Sequence, residues 1–179
     1  MGVMKMSWKK FLIENFYKRV RKGTRILEIG TGALSNLEAL LASTAWRAIV
    51  WTLDPNKDSL EKAKKVFQKH VEKGFLKPIQ GYAEKLPFGD ATFDMVVSTM
   101  TFHHLNDTKK GVQECYRVLK KGGELIILDW NASGSLFTPH TPEHLEKAKE
   151  IVINSIKELK GEEFGYHEED EWYVIWIKK

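Results

Sequence analysis

Cysteine is all but missing from this chain: Cys115 is the single one among 179 residues, so no intrachain disulfide can form. Its setting, VQECYRVL, is a helical pattern and marks a core or semi-buried thiol ahead of a nucleophile. Also missing is any apolar run near the ~18 residues that a membrane span requires. The opening MGVMKMSWKK has no long apolar centre of the kind a secretion signal carries, so a cytoplasmic location without a membrane span is expected. Charge of one sign is not in excess either. Lys and Arg number 28 against 24 Asp and Glu, and the pI near 9.0 reflects a net of +4, a modest surplus. Nucleic acid is therefore not an expected partner. No internal repeat, low-complexity linker or second domain is visible. What the chain does have is 42% hydrophobic residues, enough to build the core of one domain over 1–179.

The stretch Ile26 to Asn36, ILEIGTGALSN, organises the rest. Ile26, Leu27 and Ile29 read as a buried strand, Gly30 and Gly32 as a tight turn, and Ser35 as the cap of a helix. A glycine turn lets a ligand approach the backbone, and a helix start offers unpaired N–H donors, which is where nucleotide-like ligands sit. Around it, strands are predicted over Arg25–Ile29, Ala48–Leu53, Phe75–Gln80, Phe93–Thr99 and Glu124–Asp129. Helices alternate with them from Ser35 to Ser43, Asn56 to Val71, Asp107 to Leu119 and Pro142 to Leu159. A basic amphipathic helix from Ser7 to Val20 comes first; over 1–22 it is a packing element, a lid or a foot on an anionic surface. Two short runs, Glu163 to Tyr166 and Glu171 to Ile177, close the chain as a hairpin.

This alternation implies a doubly wound α/β sheet, mostly parallel, with right-handed crossovers and helices on both faces. In such a sheet the ligand crevice lies beyond the carboxyl ends of the strands, which gathers the Gly30 turn, Asp54, the Tyr82 loop and the Thr99 to His104 segment on one rim. Asp54 stands 24 positions after Gly30, near the ~20-residue offset at which a carboxylate meets ribose hydroxyls. That pairing serves NAD or S-adenosylmethionine equally.

Four stretches in order, LEIGTGALSN, LDPNKDSLEKAKK, GYAEKLPFGDATFDMVVSTMTFHHLND and CYRVLKKGGELIILDW, make Thr24 to Trp130 resemble the class I S-adenosylmethionine-dependent methyltransferases. The branch resembled is the one containing the ubiquinone and menaquinone biosynthesis methyltransferases. The resemblance implies a seven-stranded sheet of order 3-2-1-4-5-7-6, with the seventh strand antiparallel. It implies that Glu28 holds the cofactor's amino group directly or through water, that the backbone of Gly30 and Gly32 approaches the methionine portion, and that Asp54 takes the ribose hydroxyls. Leu53 or Pro55 would flank the adenine, the Ala83 N–H would meet it, and Thr99 would lie below the sulfonium. Two positions depart from the pattern: Leu34 stands where a third glycine is expected, and Tyr82 replaces an acid that often reads the adenine amino group.

Methyl transfer is an in-line displacement in which positioning supplies much of the acceleration. Where the acceptor must lose a proton, His103 is the first candidate base and His104 the second. His140 and His144 have the i, i+4 spacing of metal ligands, but no third ligand with suitable spacing is evident and no metal site is expected. The Asn/Asp-Pro-Pro-aromatic signature of base methylation is absent after the fourth strand. The aromatic set Trp8, Phe11, Phe102, Trp130 and Phe137 suggests an entrance for a small or partly apolar acceptor. Trp172 and Trp176 share one face of the last strand and lie either at an interface or under a helix. Two other readings remain: a non-catalytic protein that binds S-adenosylmethionine or a partner on the same scaffold, and a nicotinamide oxidoreductase, for which no Tyr-x-x-x-Lys pair is present.

Overall fold

The computed structural model of the protein describes residues 7–161 and 163–179. Seven strands form one sheet: β1 (Thr24–Ile29), β2 (Ala48–Asp54), β3 (Leu76–Gln80), β4 (Phe93–Thr99), β5 (Leu119–Trp130), β6 (Glu163–Glu168) and β7 (Trp172–Lys178). Their spatial order is β3-β2-β1-β4-β5-β7-β6, the order implied by the resemblance. The first five pair in parallel, and β7 runs antiparallel to both β5 and β6. The helices are α1 (Trp8–Asn15), α2 (Ser35–Thr44), α3 (Lys57–Val66), α4 (Gln68–Glu72), α5 (Thr108–Arg117) and α6 (Pro142–Lys157).

Successive strand residues point to opposite faces, so the near-continuous apolar runs of the central strands feed two cores. Ile26, Val50, Val97, Ile126 and Val174 pack with α1 and α2, through Leu12, Leu37 and Leu40. Leu27, Val96, Ile127 and Ile175 pack with α5 and α6, through Val112, Cys115, Val152 and Ile156. Burial pushes the Cys115 thiol well above its usual range, which removes it as a nucleophile.

Five features differ from the sequence expectation. The first helix stops at Asn15, and Tyr17–Arg19 follow as a 3₁₀ turn. Phe11, Leu12, Phe16, Tyr17 and Val20 are all buried, and the break at Phe16 (φ −126°) lets the chain turn inward twice. The expected helix over 56–71 divides at Phe67 into α3 and α4. α5 ends at Arg117 rather than Leu119, because Leu119 already pairs with Phe93. The glycines Gly122 and Gly123 sit inside β5, within the irregularity that carries the register from Leu119 to Glu124. Finally, Asn131 to Pro142 is not wholly irregular, since Ala132–Phe137 form a 3₁₀ turn capped by the Asn131 side chain.

α1 lies over the antiparallel end of the sheet. Phe11 meets Trp172 edge-on at 5.6 Å and Phe16 meets Trp176 at 5.7 Å, so both tryptophans lie under this helix. Residues 1–6 of the expected basic amphipathic segment 1–22 lie outside the described residues.

Candidate active site

β1 delivers the chain into a corner that only glycine can turn. Gly30 has φ +88°, and a Cβ built on it would stand 2.0 Å from Thr101 Oγ1. Gly32 has φ +44° and open space, its nearest atom being 3.9 Å from the ideal Cβ. Gly30 is thus required for room and Gly32 for conformation. Leu34 also takes a left-handed backbone, φ +69°, and its side chain packs into the core beside α2.

Asp54, at the carboxyl end of β2, fastens this corner. Its Oδ2 accepts the Gly32 N–H at 3.0 Å and its Oδ1 accepts the Asn56 N–H at 2.8 Å. Each carboxylate oxygen has a second acceptor position, so Asp54 retains capacity for ligand hydroxyls.

Beneath the corner runs a buried chain of polar groups. The Tyr17 hydroxyl donates to Asn36 Oδ1 at 2.6 Å, and Asn36 Nδ2 donates to Glu28 Oε1 at 3.2 Å. Thr52 donates to the other Glu28 oxygen, and the hydroxyls of Thr52 and Thr31 are 2.6 Å apart. Glu28 is fully buried, and that burial pushes its carboxyl up to about 7; hydrogen bonds from Thr52 and Asn36 oppose the shift and the Asp54 charge adds to it.

A cavity of about 350 Å³ opens on the same rim. Gly30, Gly32, Leu53, Asp54, Pro55, Tyr82 and Ala83 all line it. Leu34 is not part of this lining. Thr99 lines an adjoining cavity of about 470 Å³, together with Trp8, Leu34 and Trp130. Gly30, Gly32, Met100, Thr101 and His104 border both. Glu28 lines neither and communicates with them through Asn36, which borders the second. A larger cavity, about 600 Å³, lies elsewhere, between α1 and the β5–β7 pair. Charged Arg19, Glu124 and Lys178 line that one, and none of the groups on the strand-end rim reaches it.

Several residues at the rim were not singled out from the sequence. Glu84 lines the first cavity; its Oε1 accepts the Asn106 N–H at 3.1 Å, and its buried Oε2 has no hydrogen-bond partner. GYAEKLPF carries this acid two positions past Tyr82, but its spacing alone does not separate it from a solvated loop residue. Asp129, at the end of β5, is the second. Its Oδ1 lies 2.6 Å from His103 Nδ1, and its Oδ2 accepts the His103 N–H at 3.0 Å. His103 is buried and borders neither of the two cavities, whereas its neighbour His104 borders both. The imidazole of His104 is held below its ordinary value by burial and by the nearby imidazoles, His103 first among them. Of the expected aromatic entrance, Phe11 and Phe102 are buried in the two cores, while Trp8 and Trp130 line the second cavity and Phe137 stacks on Trp130 at 5.5 Å.

Residues 27–127 match a family described as a methyltransferase domain. The chain is 29% identical over 160 residues to the ubiquinone/menaquinone biosynthesis C-methyltransferase of Haemophilus ducreyi, covering 86% of this chain and 60% of that protein. It spans roughly half to three-fifths of the curated relatives it matches, 60% and 56% for two of them. Among solved structures, an S-adenosylmethionine-dependent methyltransferase from Aquifex aeolicus superposes with a TM-score of 0.74 at 20% identity, covering 95% of this chain and 88% of that one. A protein from Methanococcus maripaludis gives a TM-score of 0.72 at 22% identity, covering 100% and 97%.

Proposed function

The chain belongs to the methyltransferase domain family, and from that premise we propose that it is an S-adenosylmethionine-dependent methyltransferase that carries a methyl group in line to a small, partly apolar acceptor. The observation that carries this reading is the pair of cavities that meet at Thr101 and His104, one bordered by the glycine corner and Asp54, the other by Trp8 and Trp130.

Two features of the first cavity suit the cofactor. Gly30 packs against the Thr101 side chain with no room for a Cβ, which closes that wall with backbone and one hydroxyl, and the orphaned Glu84 Oε2 provides an acceptor for a ligand donor. We assign Asp54 to the ribose hydroxyls, the Gly30 and Gly32 backbone to the methionine portion, and Leu53, Pro55, Tyr82 and Ala83 to the purine. Glu28 acts one layer back. Glu28 lines neither cavity and each of its oxygens already accepts a bond, from Asn36 and from Thr52, so it orients the corner from beneath. When bound, the cofactor supplies an electrophilic methyl group on a positively charged sulfur.

The second cavity receives the acceptor. Met100, Trp8 and Trp130 give it an apolar and aromatic wall on which a planar ring stacks. Holding two reactants in line is worth about 7–11 kcal/mol for well-oriented groups, so positioning is this chain's main contribution. An acceptor proton leaves at the wall that carries His104, with His103 held behind it by Asp129 at a ring separation of 4.0 Å. The relatives' activity, C-methylation in ubiquinone and menaquinone biosynthesis, makes a hydroxylated aromatic or quinol ring the first acceptor class to try.

The test is transfer of a labelled methyl group from S-adenosylmethionine to a panel of quinols, catechols and phenols. Label in at least one ring product is expected. Bound cofactor with no label in any member of the panel would favour the non-catalytic reading instead.

A further inference from the structure

Four imidazoles from two distant stretches of the chain meet at the rim of the sheet. His103 and His104 end the 3₁₀ turn Phe102–His104 that follows β4, and His140 and His144 flank the cap of α6 at Thr141. His140 Nε2 stands 3.1 Å from His104 Nδ1. Two nitrogens on one tetrahedral zinc ion, each at ~2.0–2.1 Å, stand about 3.3 Å apart, so this pair is already at ligand spacing. One ring nitrogen from each of His103, His104 and His140 falls within 4.8 Å of the other two.

The surroundings of His103 are those of a metal-bound histidine. Asp129 holds its Nδ1 at 2.6 Å and its backbone N–H at 3.0 Å, which fixes the ring and leaves Nε2 as the ligand nitrogen. A carboxylate on the far nitrogen of a histidine is the common support of a metal ligand. His144 plays a different part: its Nε2 meets the His103 carbonyl oxygen at 2.8 Å, and its ring stacks on His140 at 4.5 Å. It steadies His140 and the His103 backbone without occupying a ligand position. No lysine or arginine is hydrogen-bonded or ion-paired to any of these four rings in the contacts described, and the carboxylate that meets them is that of Asp129.

We propose that His103, His104 and His140 bind one divalent transition-metal ion of the zinc class, with Asp129 as the positioning residue of His103 and the remaining coordination position open to water or to an acceptor oxygen. Three imidazoles with an open position form a donor set that zinc takes in catalytic sites. His103 is buried while His104 is exposed and His140 half-buried, so the two looser rings rotate onto the ion and the buried one anchors it. Its place beside the methyl-transfer cavities follows from His104, which borders both. An acceptor hydroxyl that takes the open position binds as its oxyanion and releases its proton to solvent; no other bond is made or broken. Metal binding stands on the four rings and Asp129 alone, and the part played in methyl transfer rests on the function proposed above.

The full chain, stripped with a chelator and dialysed, is titrated with zinc chloride in competition with a chromogenic zinc indicator. One equivalent is expected. His104→Ala and His140→Ala, both at accessible positions, should each weaken binding at least about tenfold, and Asp129→Asn about 10–100-fold. His70→Ala, at the remote Trp46 stack, should leave it unchanged. Cobalt(II) in place of zinc should give the visible absorption of a four-coordinate nitrogen site in the parent chain and lose it in His104→Ala. Absence of a stoichiometric site, or affinity indifferent to both His104→Ala and His140→Ala, overturns the proposal. S-adenosylhomocysteine binding is measured on the same metal-free protein, so loss of the methyltransferase reading and loss of the metal site are seen separately.

Discussion

At the scale of single residues, the corner after β1 distinguishes two uses of glycine. Gly30→Ala forces a Cβ to 2.0 Å from Thr101 Oγ1 at φ +88°, and Thr101 is itself tied to the Thr99 carbonyl at 2.9 Å. A loss of about 2 kcal/mol or more in unfolding free energy is expected, with loss of cofactor binding. Gly32→Ala meets no atom and should cost only its backbone strain, about 1 kcal/mol. Denaturant titration of the two variants separates them.

Glu28 sets a pH dependence. Burial raises its carboxyl from 4.5 in the unfolded chain to about 7 in the folded one. Below 4.5 both states hold the proton and the group costs nothing. Between 4.5 and 7 the unfolded chain ionises first, so the folded state loses stability as pH rises, and above 7 the loss is complete at about 3 kcal/mol. Relative to the parent chain, Glu28→Gln should therefore gain roughly 2 to 3 kcal/mol of unfolding free energy between pH 5 and pH 8. A parent-minus-variant difference that is flat over that range would show that the carboxyl ionises at its ordinary value.

At the scale of elements, α1 joins core to cavity. Its buried side, Phe11 and Leu12, packs in the sheet's first core, and its first residue, Trp8, lines the second cavity. We take α1 as the cover of the acceptor site. Trp8→Ala should raise the KM for acceptor several-fold and leave cofactor affinity near the parent value, since Trp8 is not part of the first cavity. Equal changes in acceptor KM and cofactor Kd would point to a structural effect instead. This element was only half legible in the sequence. The spacing of Trp8, Phe11, Leu12, Phe16 and Val20 gave an amphipathic helix, but the need to bury both Phe16 and Tyr17 breaks it at residue 16, and the partner of Tyr17, Asn36, lies 19 residues away. The end of α5 was misplaced for a similar reason. The helical pattern continues to Leu119, yet pairing of Leu119 with Phe93 ends the helix at Arg117.

At the scale of the whole molecule, strand count, order and direction were legible because buried parallel strands leave continuous apolar runs separated by turn residues, and each crossover helix has its own amphipathic period. The rim of the sheet was legible for the same reason: Gly30, Asp54, Tyr82 and Thr99 each sit at the end of a strand, and topology carries all the ends to one side. Groups that meet only in space were not. His140 and His144 showed ligand spacing with no third partner in sequence, and the fold brings His104 to 3.1 Å from His140 across a separation of 36 residues. Asp129 likewise reads as the last residues of an apolar strand until His103 is placed against it. Glu28, expected to hold the cofactor's amino group directly or through water, lies beneath the corner by the simple alternation of β1, in which it shares a face with Ile26.

The central claim is that the glycine corner and Asp54 together hold the cofactor. Isothermal titration of S-adenosylhomocysteine into the parent chain and into Asp54→Ala tests it most directly. One site in the parent chain is predicted, weakened at least about tenfold in the variant, which lacks the carboxylate oxygens that would face the ribose hydroxyls. Equal affinity in the two proteins, or no heat from the parent chain at millimolar ligand, would contradict it.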